Sequence, residues 1–212
     1  INTIIMKLEV KISKKKINYD YAIKFLEKRV EDVFDGKKSE LLWILQHNSI
    51  YTGGTGYNKK DIINKDIKVI KTKRGGKITH HGPGQVIVYF VINLKNRKKD
   101  IRLLIKNIEC SIINILNKYN IKSFADRKNI GIWVNHNNEI KKIAAIGLRV
   151  KKWIAYHGFA LNLNNDLELY KNIIPCGIIN KKITNMKCIN NRKYNNLNKK
   201  IIDEFINNLY FS

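Results

Sequence analysis

Cysteine is scarce in this sequence, and so are long apolar stretches. The three cysteines, Cys110, Cys176 and Cys188, contain no C-x-x-C pair, so we expect neither a disulfide framework nor a cysteine-rich metal site. The expected compartment is therefore a reducing one, and no metal is predicted. No apolar run approaches the roughly 20 residues of a membrane-spanning helix, so no membrane association is expected either.

Acidic residues are also few, and their shortage leaves a strongly basic chain. The chain contains 17 Asp and Glu but 41 Lys and Arg, which gives a formal net charge of +24. A solvated, lysine-rich surface explains this charge most simply, and attraction to an acidic partner is the second explanation. Only seven of the basic residues are arginine, whereas phosphate-reading surfaces favour arginine. A basic nucleic-acid-binding module is therefore the least favoured alternative, and an acidic protein partner stays open.

The most unusual segment that is present runs from Arg74 to Gln85. It holds four glycines, one proline and the adjacent pair His80 and His81. Glycine and proline disfavour regular elements, so this composition indicates a loop with an unusual backbone path. The apolar run Val86–Ile92 follows at once and is typical of a strand buried on both faces. A loop joined to such a strand is well suited to present a binding site.

Apolar periodicity predicts the other elements. Helices are predicted over residues 19–37, after the N-cap Asp100 as far as Tyr119, and over residues 201–209. Strands are predicted over residues 4–12, 41–46, 67–70, 86–92, 130–134, 140–148 and 152–163, with a hairpin-type turn at residues 135–138. The glycines of residues 51–56 lack the full G-x-G-x-x-G spacing, so a shaped turn is favoured there over a nucleotide site. No repeat or linker divides residues 1–212, which predicts a single α/β (α+β) domain with a mostly antiparallel sheet and flanking helices.

Three further positions carry chemistry that local packing does not require. Lys142 precedes small apolar residues, which would desolvate it partly and so make it reactive. His157 alternates with Trp153 and Phe159, and a buried core histidine is the favoured interpretation. Cys176 stands between a proline and a glycine in a tight turn, a suitable place for a nucleophile. Because adjacent side chains of an extended segment diverge, His80 and His81 should not both face one site.

The chemistry that suits a cysteine and a lysine is acyl transfer. A free thiol has a pKa of about 8.5, so a nearby ammonium is needed to raise the thiolate fraction. A lysine can afterwards accept a proton from an attacking amine. Small residues, among them Ala145, Gly147 and Gly158, predict an apolar slot that an alkyl chain would fill.

Four segments together resemble one family, the lipoyl(octanoyl) transferases. They are residues 74–85 (RGGKITHHGPGQ), 142–149 (KIAAIGLR), 157–162 (HGFALN) and 175–177 (PCG). The resemblance covers nearly the whole chain, in the family's order and spacing. It implies an acyltransferase with the α/β fold of lipoate ligases and biotin protein ligases.

The resemblance also implies residue roles. Cys176 matches the acyl-thioester nucleophile of the family, and Lys142 matches the lysine paired with it. The implied substrate-binding residues are Arg74, Gly75, Gly76, Lys77, Ile78, Thr79, His80, His81, Ala145, Ile146, Gly147, Gly158, Phe159 and Ala160.

The implied reaction, part of lipoate biosynthesis, moves octanoyl from octanoyl-acyl carrier protein to a lysine of a lipoyl domain, through a thioester on Cys176. The implied acceptors are the lipoyl domains of 2-oxoacid dehydrogenase complexes and the glycine cleavage H protein. No cofactor is expected, because the donor is already a thioester. The resemblance implies the cytoplasm for a bacterial source and an organelle for a eukaryotic one. An ATP-dependent lipoate or octanoate ligase of the same fold remains the alternative.

Overall fold

The computed structural model describes residues 8–175 and 182–210. Its strands are β1 (Leu8–Ile12), β2 (Glu40–Leu45), β3 (Ile50–Gly53), β4 (Val69–Lys71), β5 (Ile78–His81), β6 (Gln85–Asn93), β7 (Phe124–Ala125), β8 (Ile132–His136), β9 (Glu139–Lys151), β10 (Ile154–Asn162) and β11 (Lys182–Ile183). Its helices are α1 (Tyr19–Phe34), α2 (Ile101–Asn117), α3 (Met186–Ile189) and α4 (Leu197–Tyr210). None of the helices described is long and apolar enough to cross a membrane.

The larger sheet has the strand order β1-β2-β6-β10-β9-β8-β7, and β11 pairs with β9. Among the described strands of this sheet, only the β1–β2 and β11–β9 pairings are parallel. The predicted α/β fold with a mostly antiparallel sheet is confirmed.

Strand β6 runs through the middle of the protein and is buried along eight of its nine residues. Because strand side chains alternate, Val88 and Phe90 pack in the cluster that contains residues of α2 and α4. Ile87 and Tyr89 pack on the other face, in the cluster that contains α1. The predicted strand with two buried faces is therefore confirmed, and each face of the sheet has its own hydrophobic core.

Local side-chain hydrogen bonds define the starts of the two long helices. Asn18 accepts from the Tyr21 N–H before α1, and Asp100 accepts from the N–H groups of Arg102 and Leu103 before α2. Helix α1 ends at Phe34, a few residues before the predicted end at residue 37, because Gly36 follows with a φ of 70°.

A smaller sheet, with the order β4-β3-β5, corrects two predictions about loops. Residues 50–53, at the start of the predicted glycine turn, form β3, and residues 78–81, inside the predicted 74–85 loop, form β5. Their backbones pair with each other, Tyr51 opposite His80 and Thr52 opposite Thr79. Long-range pairing has overridden the local preference of these segments for loops.

Two tight turns join β8, β9 and β10 into a meander. Asn137 and Asn138 have φ values of 54° and 59°, and Lys152 and Trp153 have φ values of 53° and 65°. Two consecutive residues with positive φ are typical of two-residue hairpins. The predicted turn in residues 135–138 is confirmed, whereas β10 starts at Ile154 because Lys152 and Trp153 form the second turn.

Candidate active site

A cavity of about 560 Å³ opens beside β9 and β10. We call residues 74–77 the arginine loop; they form one wall, and the first turns of α2 with residues 128–130 form another. Lys142 and all the predicted substrate-binding residues except His80 line this cavity. The tertiary structure thus brings together segments that lie up to about 90 residues apart in the chain.

The glycine-rich turn at residues 54–56 supports the arginine loop from behind. The N–H groups of Gly54, Thr55 and Gly56 donate to the backbone oxygens of Lys77, Arg74 and Gly76, at 3.1, 2.9 and 3.0 Å. These donors are consequently used within the protein. The shaped turn favoured from the sequence is what the structure contains.

Arg74 brings a positive charge into the wall of the cavity. Its Nη2 donates to the backbone oxygen and to the hydroxyl of Thr52, at 2.9 and 2.8 Å, and the residue is only 9% exposed. The β3 strand therefore fixes the orientation of the guanidinium.

Lys142 lies on β9 with an exposed fraction of only 5%. Its Nζ lies 5.0 Å from the centre of the Trp133 ring. A Cβ atom built on Gly131, which has a φ of 133°, would stand 2.4 Å from the Lys142 Cε. Glycine at position 131 therefore makes room for the lysine, whose expected burial is confirmed.

The predicted nucleophile, Cys176, lies outside the described residues. On one side the described chain ends at Pro175. The N–H of the preceding residue, Ile174, donates to the backbone oxygen of Asp61 at 2.7 Å. On the other side it resumes at β11, where Ile183 pairs with Lys142. The Thr184 N–H then donates to the Lys142 backbone oxygen at 2.9 Å. The chain that resumes at residue 182 is therefore attached directly to the strand that carries Lys142.

The two adjacent histidines face different surroundings, as expected for neighbours in a strand. His81 lines the cavity, and its Nδ1 donates to Gln85 Oε1 at 2.7 Å. Burial lowers the pKa of His81 well below its usual range, and the charges of His47 and Arg74 act in the same direction. His80 is away from the cavity and hydrogen-bonds Ser49 through Nε2 at 2.8 Å, with its pKa lowered to about 4 by burial.

His157 is not the ordinary core histidine that the sequence analysis favoured. Its φ of 70° interrupts the alternation of β10. The ring therefore does not join Phe159 on the α2 side; it stacks on Tyr156 at 4.8 Å and meets Tyr89 at 6.3 Å. Its Nδ1 is buried without a hydrogen-bond partner among the described residues. Burial, with Arg74 and Arg149 nearby, lowers its pKa to about 3, so the ring is neutral.

The two cavity glycines do not form the empty slot that the sequence suggested. A Cβ atom on Gly147 would meet Arg74 Cδ and the Gly75 oxygen, both at 3.3 Å. A Cβ atom on Gly158 would lie 1.9 Å from the Val88 oxygen. Both glycines line the cavity but make room for protein atoms, so that part of the slot hypothesis is wrong.

Several cavity residues carried no functional signal in the sequence. They are Tyr19, Ile87, Tyr89, Ile101, Ile105, Lys128, Asn129, Ile130, Leu148, Arg149 and Val150. Most of them belong to regular apolar patterns, so the sequence assigns them to a core. Arg149 is an exception. It is the last residue of the 142–149 segment, and its charge beside apolar residues could have indicated a functional role.

Charge in the cavity has one sign. Five cationic residues line it, namely Arg74, Lys77, Lys128, Lys142 and Arg149, and none of its described lining residues is Asp or Glu. The apolar isoleucines at its mouth complete a site for a ligand with an apolar part and a negatively charged part. Within the described residues no cluster of three or more His, Cys, Asp or Glu could hold a metal ion.

Comparison with known proteins gives consistent results. The family profile of the lipoyl protein ligase A/B catalytic domain matches residues 18–206. The octanoyltransferase of Wolbachia sp. subsp. Brugia malayi is 47% identical over 177 residues, 83% of this chain and 86% of the relative. The octanoyltransferase of Ehrlichia canis is 44% identical over 182 residues, 85% of each chain.

Among solved structures, a bi-partite lipoate protein ligase from Thermoplasma acidophilum superposes with a TM-score of 0.74 at 12% identity. The match covers 97% of this chain and 84% of that one. At this low identity the likeness concerns the fold alone, and it confirms the predicted lipoate ligase type of α/β fold.

Proposed function

Because the chain belongs to the lipoyl protein ligase A/B catalytic domain family, we propose that it is an octanoyltransferase of lipoate biosynthesis. The donor is octanoyl-acyl carrier protein, and the acceptor is a lysine of a lipoyl domain in 2-oxoacid dehydrogenase complexes or the glycine cleavage H protein. Relatives that are 36–47% identical to this chain are named octanoyltransferases, which supports octanoyl as the acyl group that is transferred. These relatives are bacterial, and the reaction takes place in the cytoplasm in such a source.

The observation that carries the proposal is the buried Lys142 in a cavity made by the segments of the sequence that resemble the family. Residues 74–79, 145–147 and 158–160 reach the same cavity from separate elements. The side chain of Lys142 is nearly inaccessible, so its charge acts in a site of low polarity, where an ion pair is stronger than in water. Such a cation suits a thiolate nucleophile, and Cys176 is the cysteine we assign to that role.

In the first half-reaction the Cys176 thiolate attacks the carbonyl carbon of the octanoyl thioester. The bond from that carbon to the sulfur of the carrier breaks, and the leaving thiolate takes a proton from the Lys142 ammonium. In the second half-reaction the neutral amine of the acceptor lysine attacks the acyl-enzyme. Lys142 accepts the proton that this amine loses, and Cys176 leaves as a thiolate.

Electrospray mass spectrometry of the intact protein tests the proposal. After incubation with octanoyl-acyl carrier protein, the wild type should gain the mass of one octanoyl group, and Cys176→Ser should gain none on the same timescale. Lys142→Ala should load slowly near pH 7, because the thiolate loses its cation. Its loading should recover at higher pH, where the thiol ionises without help, whereas amide formation should recover less.

The same instrument separates this reaction from that of an ATP-dependent ligase. Wild-type protein is incubated with octanoate and ATP in place of the carrier, and octanoylation of a lipoyl domain is followed. If Cys176→Ser modifies the lipoyl domain at a normal rate with octanoate and ATP, the chain is a ligase and covalent catalysis is wrong.

A further inference from the structure

Among the described residues, no strand pairs with the outer half of β9 on the side that faces the cavity. On the side of β8, pairing ends at Ala144, opposite Ile132. The chain of β8 leaves the sheet at Gly131, while β9 continues to Lys151, and in the described part of the chain these later residues pair with β10 alone, on the other side of the strand. We call residues 145–150 the β9 edge. Among the described residues, Gly75 is the only one whose backbone hydrogen-bonds to it from the open side.

The direction of the free groups follows from two contacts. The Leu148 oxygen points to the open side, because it accepts from the Gly75 N–H at 2.8 Å. The Ala144 oxygen points to the same side, because a Cβ atom on Gly131 would stand 2.7 Å from it. Backbone groups of alternate residues point to the same side of a strand. The N–H and oxygen of Ile146 and the N–H of Leu148 therefore also point to the open side, and both residues line the cavity.

Such a row of groups is a template for an extended chain that contains amides. We propose that the β9 edge binds the pantetheine arm of the thioester donor. An amide N–H of the arm donates to the Ile146 oxygen, and a carbonyl of the arm accepts from the Leu148 N–H. This inference rests on the proposed function, and it adds to it where the donor lies and which protein atoms recognise it.

Charge favours the donor arm over a peptide strand of the acceptor as the occupant. The arm ends in a phosphate, and the exposed Lys77 and Lys128 and the half-buried Arg149 are among the residues that line the cavity. None of the described lining residues offers a carboxylate for the lysine of an acceptor. Cations attract the phosphate and repel an acceptor that carries a positive lysine.

The first test uses wild-type protein and two small donors that differ in a single group. One is the octanoyl thioester of N-acetylcysteamine, and the other has an ester oxygen in place of its amide N–H. The amide donor should load Cys176 with a higher kcat/KM, by about three- to tenfold, the effect of one hydrogen bond. Equal rates for the two donors would overturn the proposal, even though both donors loaded the enzyme as the proposed function requires.

The second test removes the hydrogen-bond donor that the protein supplies, the Leu148 N–H. Leu148→Pro deletes the N–H that points to the open side and leaves the β10 ladder its donors. Leu148→Ala is the matched control, because it keeps the N–H and removes the side chain. For the octanoyl thioester of pantetheine, loading should slow by about three- to tenfold in Leu148→Pro relative to Leu148→Ala.

Two outcomes of the second test contradict the proposal. One is equal loading by the two variants. The other is normal loading by Leu148→Pro with slow transfer to a lipoyl domain, which would assign the edge to the acceptor instead. If Leu148→Pro does not fold, the comparison of amide and ester donors on wild-type protein decides the question.

Discussion

At the scale of single residues, the site depends on buried groups whose charge state is set by their surroundings. Arg74 and Lys142 are positively charged side chains with almost no exposed surface. Near them, His81 and His157 have pKa values lowered by burial and by neighbouring cations, so both rings are neutral. Among the described lining residues the positive charge therefore comes from lysine and arginine, and the histidines add hydrogen-bonding nitrogen without adding charge.

These neutral histidines predict that the protein is destabilised by mild acid. The folded-state pKa is about 4 for His80 and about 3 for His157, whereas an unfolded histidine titrates near 6.5. Below about pH 6.5 the unfolded chain binds protons that the folded chain does not, so stability falls as the pH falls toward the folded-state values. Each histidine should account for about 2 kcal/mol of lost stability between about pH 7 and pH 5.

Urea unfolding at a series of pH values measures this effect. His157→Gln should keep a neutral hydrogen-bonding side chain and lose about 2 kcal/mol less than the wild type over the same pH range. His80→Gln is a second, independent probe outside the cavity. A wild-type stability that stays flat between these pH values would contradict the assignment of neutral rings.

At the scale of elements, the distorted middle of β10 shapes the cavity. His157 has a positive φ, and Gly158 follows with a φ of 156°. This path moves the His157 ring to the α1 side of the sheet and lets the backbone of Gly158 approach the Val88 oxygen. Residues held in rarely populated backbone regions often lie at functional sites, and this one does line the cavity.

Gly158 and Gly147, which pair across β10 and β9, give a matched test. Gly158→Ala places a Cβ atom 1.9 Å from a backbone oxygen and forces alanine into a glycine conformation, so it should cost about 3 kcal/mol or more. Gly147→Ala meets Arg74 Cδ and the Gly75 oxygen at 3.3 Å, which needs a shift of only a few tenths of an ångström, and should cost about 1 kcal/mol. Urea midpoints measure both, and similar losses for the two variants would show that the distortion of β10 is not required.

At the scale of the whole molecule, the dominant feature is the net charge of +24. Many acidic side chains are occupied in ion pairs: Glu40 binds Arg97 at 2.6 Å, and Glu204 binds Lys118 at 2.6 Å. Glu31 holds both Lys151 and Lys152, and this is the main reason why its pKa is lowered. The large excess of lysine therefore remains available to attract an acidic macromolecule.

Salt should consequently slow loading from an acidic carrier protein. Raising the ionic strength from about 0.05 M to 0.5 M shortens the screening length well below 10 Å, so the second-order loading rate should fall about tenfold or more. The neutral octanoyl thioester of N-acetylcysteamine is the control, and its rate should change little. If both donors respond equally to salt in stopped-flow or quenched-flow loading, the charge does not steer the carrier.

The sequence alone determined the elements with strong periodicity and the segments with unusual composition. Helices α1, α2 and α4, the doubly buried β6 and the hairpin at Asn137–Asn138 all follow from apolar spacing, capping residues and turn residues, which act over a few positions. The segments at residues 74–85, 142–149 and 157–162 were also recognisable, because their glycines and charges have no role in ordinary packing. The role of Cys176 stays a prediction, since it lies outside the described residues.

Only the tertiary structure decided what those segments do next to one another. The strands β3 and β5 form inside glycine-rich segments because their backbones pair across about 30 residues of chain. Gly147 and Gly158 make room for Arg74 and Val88, and His157 changes sides through one dihedral angle. In the described part of the chain, the outer half of β9 has no partner on the side of β8 because β8 ends early. Each of these features depends on distances between atoms that are remote in sequence, and a pattern of residue types contains no such distances.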